Sequence, residues 1–342
     1  MPPSIRDIAL HTGFSTATVS LALRDKGRMA PATREKIRAA ATELHYQALP
    51  NLSRALSLAR HPQQGRFRET LAFITEYPER RAPRFQSELQ AAATRRGESL
   101  GLKVEAFIVS GSPADHRRIS RVLVARGIRG VIICTRIKHR QSRLVLDWPK
   151  FAAVEIGRSV WSPDNLHKVE RSVFYELADA MHLLKKAGYR RIGLAIEPWE
   201  EVMRRGIYSA AFLMGQQRFL PAQRIPPLSA EAAWSIQTFR EWMFKHRPEV
   251  LIVYEPKIIL HWLHELGLKV PEDISVFSTN VGESSFSGLR SDIDSLGASC
   301  VEMLSLLLER DELGLTPHFR NWLVKDFWQS GETLRHPIAF AP

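Results

Sequence analysis

The sequence predicts an α/β protein that begins with an all-α module. Apolar residues recur at helical spacing in three short sets before residue 46, and from Thr70 onward short apolar runs alternate with longer amphipathic segments. A third observation concerns charge. The 342 residues carry a formal net charge of +12, and residues 1–60 hold nine Lys/Arg against four Asp/Glu, so the small module is itself basic.

The three apolar sets are Ile5, Ile8 and Ala9; then Val19, Ala22 and Leu23; then Ile37, Ala40, Ala41 and Leu44. Each converges on one small core. Between the first two, His11-Thr12-Gly13-Phe14 has room only for a tight turn. Ser15 is placed to cap the second helix, because its hydroxyl can accept from N–H groups that the first helical turn leaves unpaired. Three short helices around a glycine-containing turn form the layout of a helix-turn-helix module.

In the rest of the chain, strands are predicted at 71–75, 104–109, 130–134, 152–156, 192–196, 250–254 and 274–278. Helices are predicted near 87–100, 117–126, 174–187, 205–217, 232–245 and 258–266. Alternation on this scale implies parallel sheets with helices on both faces, and two successive strand-helix sets fit two lobes. His61-Pro62-Gln63-Gln64-Gly65 breaks any preceding helix and opens this part of the chain.

Several function classes are disfavoured. A composition of 44% hydrophobic and 25% charged residues argues against extensive disorder. Cys134 and Cys300 lie far apart and outside any C-x-x-C pair, so they read as buried small hydrophobes. No run approaches the roughly 18 apolar residues of a membrane span, and MPPSIRD lacks an apolar leader, so a cytoplasmic protein without a membrane partner is expected. There is no G-x-G-x-x-G after a strand, no phosphate loop and no G-x-S-x-G elbow. His261 and His264 have a spacing compatible with a metal, but a surface helix explains them better, since neither the H-E-x-x-H arrangement nor a third ligand accompanies them. No catalytic residue, metal or cofactor is expected.

The N-terminal pattern, reading DIA, then TGFSTATVS, then TREKI and LHY, resembles the headpiece of the LacI/GalR family of transcriptional regulators. Pro50-Asn51-Leu52-Ser53-Arg54-Ala55-Leu56 is similar to the family's hinge helix, with a longer gap after Tyr46. Ala187-Gly188-Tyr189-Arg190-Arg191-Ile192-Gly193 and Pro271-Glu272-Asp273-Ile274-Ser275-Val276 extend the likeness over most of the chain. The resemblance implies a headpiece at 1–48, a hinge helix and linker at 49–67, and an effector-binding and dimerisation domain at 68–335. The last would have the periplasmic-binding-protein type of fold, with two Rossmann-like lobes joined by crossovers and a small molecule, usually a sugar, between them. It also implies a homodimeric repressor on double-stranded operator DNA. No leucine heptads follow Arg335, so a tetramer is not expected. The alternative is a sugar-binding receptor of the same fold without a DNA role, against which the N-terminal module stands.

By family position, Thr16, Ala17 and Leu21 would face bases, while Ser15, Thr18, Ser20, Arg24 and Thr33 would bind phosphates. Leu at position 21, where many relatives have Arg, offers only apolar contact and implies a different operator. Leu56, or alternatively Leu52, would wedge into the minor groove or else make a helix–helix contact. In the effector cleft, Arg204 falls where the family has its sugar-holding arginine. Asn280, Ser172 and Pro256, the last beside Glu255, stand where the family commonly has Asp. Three carboxylates are thus absent, which sets the cleft apart from one built for an ordinary hexose. Tyr77, Trp161 and Trp199 could stack on a sugar ring or serve in ordinary packing.

Overall fold

The computed structural model describes residues 3–23, 29–44, 46, 69–77, 82–134, 143–228, 234–282, 284–336 and 338, which divide into two compact units, 1–64 and 65–342. The hinge expected at 49–67, with Leu52 and Leu56, and Arg24 of the headpiece lie outside these residues. Among the described residues no helix is long and apolar enough to cross a membrane.

In the first unit, α1 (Ile5–Thr12), α2 (Thr16–Leu23) and α3 (Pro31–Glu43) close around Ile8, Val19, Ala22, Ile37, Ala40 and Ala41, all buried. At the start of α1 the Asp7 carboxylate accepts from the Ser4 backbone N–H and hydroxyl, at 2.7 and 2.6 Å. At its end Gly13 adopts φ 75°, a left-handed conformation that costs a glycine little, and its N–H reaches the Ala9 carbonyl at 3.0 Å. That turn sets α2 across α1. His11 of α1 also lies 3.4 Å from Glu43 of α3.

The second unit has two lobes. The first holds a fully parallel six-stranded sheet in the order β10-β5-β4-β3-β1-β2, made of β1 (Glu69–Thr75), β2 (Leu102–Ile108), β3 (Gly130–Cys134), β4 (Ala152–Ile156), β5 (His167–Arg171) and β10 (Asn321–Val324). Helices α4 (Arg84–Ser99), α5 (Pro113–Ala125) and α11 (Ile293–Glu309) cover it. The second lobe has the order β11-β9-β8-β7-β6, with β6 (Ile192–Ala195), β7 (Val250–Val253), β8 (Ser275–Ser278), β9 (Gly288–Arg290) and an antiparallel edge strand, β11 (Phe327–Gln329). Around it pack α6 (Val173–Lys186), α7 (Pro198–Met203), α8 (Ile207–Gln216), α9 (Ile236–His246) and α10 (Pro256–Glu265).

Both sheets are buried on both faces, which is why their central strands read as unbroken apolar runs. Leu71 and Phe73 of β1 face one core of the first lobe, and Ala72 and Ile74 face the other. Val250 and Ile252 of β7 divide from Leu251 and Val253 in the same way in the second lobe. Cys134 and Cys300 are buried in one apolar cluster, in agreement with the sequence reading.

The two lobes are joined by crossovers, as the resemblance implies. The chain passes between lobes three times: from β5 into α6, from β9 back to α11, and from β10 to β11. Strands β5, β9, β10 and β11 and helices α7 and α11 were not predicted. The helix predicted from Arg205 begins instead at Ile207, because Arg205 (φ 54°) and Gly206 (φ 79°) are both left-handed and separate α7 from α8. Helix α11 packs on α4 closely enough that a Cβ on Gly297 would lie 2.6 Å from the Ala92 methyl and 2.8 Å from the Ala93 nitrogen.

Candidate DNA-reading face and effector cleft

Helix α2 presents its site residues outward. Val19 and Ala22 point into the three-helix core, so residues a half-turn away must face out, and Ser15, Thr16, Ala17 and Leu21 are exposed. Leu21 keeps 44% of its surface in solvent, which its packing within the module does not require. Ser15 caps the helix as expected, its Oγ accepting from the Thr18 N–H at 3.1 Å and lying 2.9 Å from the Thr18 hydroxyl. Thr18 and Ser20 are half-buried. Thr33, also half-buried, is on the first turn of α3, where its N–H is held by the Ala30 carbonyl at 3.0 Å. Seven of the nine residues expected at DNA therefore lie among the described residues, six on α2 and its Ser15 cap and Thr33 on α3.

Within the second unit, a cleft of about 930 Å³ opens beside the crossovers. Its lining includes Arg204, Glu255, Pro256 and Asn280, so four positions singled out in the sequence converge on one cavity. Ser172 and Tyr77 are not in that lining. Ser172 sits in the β5–α6 crossover, where its N–H donates to the Val324 carbonyl at 3.0 Å, and Tyr77 follows β1, its N–H on the Thr75 hydroxyl at 3.1 Å. Trp161 lies under the Arg205 guanidinium, 5.1 Å from ring to charge, and Trp199 packs edge-on to Tyr254 with centroids 6.1 Å apart. His261 is paired with Glu265 at 2.9 Å on the surface of α10.

Arg204 closes the end of α7. Its N–H caps the helix on the Glu200 carbonyl at 2.9 Å, and its Nε donates to the Glu200 carboxylate, also at 2.9 Å. Burial opposes its charge, but Glu200 with Tyr208 and Tyr254 outweighs burial and holds the guanidinium protonated more firmly than usual. Glu197, one turn before, is pushed up to about 7 by burial, with Glu255 and Glu200 adding repulsion.

The sequence reading missed Arg171, the last residue of β5. It is buried and lines the cleft, its Nε donating to Asp326 at 2.6 Å and its Nη2 to the Thr279 carbonyl at 2.5 Å. Asp326 belongs to the β10–β11 crossover, and its N–H donates to Glu176 of α6 at 2.5 Å. Arg171 thus binds two crossovers to the loop after β8. Burial opposes its charge, but Asp326 more than compensates. Burial and the nearby Asp326 together push Glu176 up to about 7. Arg290 and Lys257, both exposed, also line the cleft.

The comparisons agree with this geometry. Residues 4–51 match the bacterial regulatory proteins of the lacI family, and residues 181–320 match the periplasmic binding protein-like domain. The chain is 34% identical over 132 residues to the maltose regulon regulatory protein MalI of Escherichia coli, a match that spans 38% of this chain and only 35% of that protein. It is 26% identical over 324 residues to the lactose operon repressor of the same organism, covering 89% of this chain and 84% of the relative. Among solved structures, the lac repressor dimer bound to operator and the anti-inducer ONPF superposes with a TM-score of 0.54 at 22% identity, over 97% of this chain and 99% of that one, a likeness of fold. The chain thus joins a module that matches the lacI family of bacterial regulatory proteins to a two-lobed unit that matches the periplasmic binding protein-like domain.

Proposed function

We propose that this chain is a sequence-specific DNA-binding transcriptional repressor that works as a homodimer in the cytoplasm and is switched by a small carbohydrate-like effector. The observation that carries the reading is the outward face of α2, where small and apolar Thr16, Ala17 and Leu21 stand free of the core that fixes their helix. Residues of this kind read base edges and thymine methyls, while the cap and the α3 threonine suit phosphate oxygens. One small module with so few base-facing groups reads few positions, so two copies on a pseudo-palindrome are needed for specificity. Residues 1–48 serve as headpiece, 49–67 as hinge, with Leu56 in the minor groove, and 68–335 bind the effector. In the cleft Arg204, Glu255 and Asn280 hold the ligand, while Ser172 and Tyr77 act from its margin. Nothing in this role requires catalysis.

Selection of duplexes from a randomised library by the full-length chain tests the proposal. Enrichment of a two-fold symmetric site bound by a dimer is the expected result. Failure to enrich any sequence over random DNA would favour a receptor without a DNA role.

A further inference from the structure

The cleft combines two features that neutral sugar recognition does not require. Arg171 and Arg204 both line it, and each is tied from behind by one carboxylate, Asp326 and Glu200 respectively. The two guanidinium groups are close enough that the charge of Arg204 counts against that of Arg171. Arg204 is bonded through Nε, and Arg171 through Nε and Nη2, leaving N–H groups on Arg204 Nη1 and Nη2 and on Arg171 Nη1 for a ligand. At the exposed edge, Arg290 rests on the Phe327 ring at 5.5 Å, and Lys257 follows Pro256 at the start of α10; both line the cleft.

The carboxylates of the lining are committed differently. Glu88 is paired with Arg84, Asp294 with Arg95, and Asp292 caps α11 through the Ser295 N–H at 2.9 Å. Glu255 and Asn280 are left to meet hydroxyl donors. The cleft therefore pairs a donor-rich cationic wall with a small hydroxyl-binding corner. Two adjacent guanidinium forks match the oxygens of a carboxylate or phosphate far better than those of a hydroxyl.

We propose that the effector is a sugar bearing an oxyanion, held by Arg171 and Arg204 together, with Glu255 and Asn280 on its hydroxyl groups. This rests on the assignment of the cleft as the effector site. It makes Arg171 a ligand-binding residue, and because Arg171 also ties two crossovers, the oxyanion would contact the connection between the lobes directly.

The test is a calorimetric titration of the full-length protein with glucuronate, galacturonate, glucose 6-phosphate and galactose 6-phosphate, beside neutral glucose and galactose. At least one acidic sugar is expected to bind, more weakly as salt rises, and its neutral parent is expected not to bind. Whether the uronates or the phosphates respond identifies the oxyanion. Arg171→Gln and Arg204→Gln should each weaken that binding roughly tenfold or more. Arg290→Gln, an exposed substitution that leaves the fold intact, should weaken it about threefold by removing one long-range charge. Should a neutral sugar bind as tightly as its acid, the oxyanion is wrong and the effector cleft stands. Binding of none of the six would overturn both readings of the cleft.

Discussion

Asp326→Asn tests the buried knot at the crossovers. The Arg171 side chain is 5% exposed and that of Asp326 is fully buried, so the substitution keeps the shape but leaves a guanidinium charge with only the Thr279 carbonyl and Asn oxygen as acceptors. Removing one partner of such a pair costs about 3–5 kcal/mol. For a unit of this size that lowers the melting temperature by roughly 6–20 °C. The loss should also depend on pH. Glu176 is pushed up to about 7 by burial and Asp326 in the parent; without the Asp326 charge it ionises at lower pH, so the variant loses less stability than the parent as pH rises and Glu176 balances Arg171 there. The destabilisation should therefore be smaller at pH 8 than at pH 5. Scanning calorimetry at both pH values, with Glu88→Gln as control, is the assay. The Arg84–Glu88 pair is largely exposed and its loss should cost under about 1 kcal/mol. If Asp326→Asn is no worse than that control, or if its cost rises with pH, the account of the knot is wrong.

Three further outcomes are expected. Glu197 has its carboxyl raised from 4.5 to about 7 by burial, so the stability it contributes is fully present below pH 4.5 and is lost as pH rises through 7, on the order of 3 kcal/mol; denaturant midpoints should fall less between pH 4 and pH 8 in Glu197→Gln than in the parent protein. Leu21→Arg should shift the preferred operator toward guanine by about 1–3 kcal/mol, whereas Arg24→Ala should weaken binding to all sequences and lower the salt slope by about one, both read from a randomised site library at two salt concentrations. Gly297→Val should cost about 1–3 kcal/mol or more by thermal melting, since two of the three nearest neighbours of its Cβ are backbone atoms that cannot swing away.

The fold was legible where burial leaves an apolar trace. Strands β3 and β4 were located to the residue, because both are covered on two faces and, Glu155 apart, carry no polar side chain. Strand β5 is buried too, yet its sequence is His-Lys-Val-Glu-Arg. Its polar side chains are compensated by distant partners: Lys168 by Glu155 at 3.9 Å and the carbonyls of Asp164 and Leu166, Glu170 by both branches of Arg158, and Arg171 by Asp326. No local pattern reveals such pairing, and with β5 went Arg171, which family position had not marked. Helix α11 has helical apolar spacing from Leu296 to Leu308 and was readable from that pattern, although it was not predicted. Glu255, Pro256 and Asn280 were found because each follows a recognisable strand, and Arg204 because it lies at a fixed distance before Ala210-Ala211-Phe212. Ser172 sits in the β5–α6 crossover, whose path is set by the assembled lobes, with its N–H on the Val324 carbonyl.

The threefold passage of the chain between lobes also fixes an order of assembly. Strand β5 has β10 as its outer neighbour, and α4 has α11, so the first lobe is finished by residues 293–324, more than a hundred positions after its own β5. During synthesis that lobe must wait with an apolar helix face and an unpaired strand edge until the chain has emerged through residue 324. A fragment ending near residue 172 would retain both exposures permanently and should aggregate, and fusions or truncations that seek a separate first lobe must carry the distal helix and strand along with it.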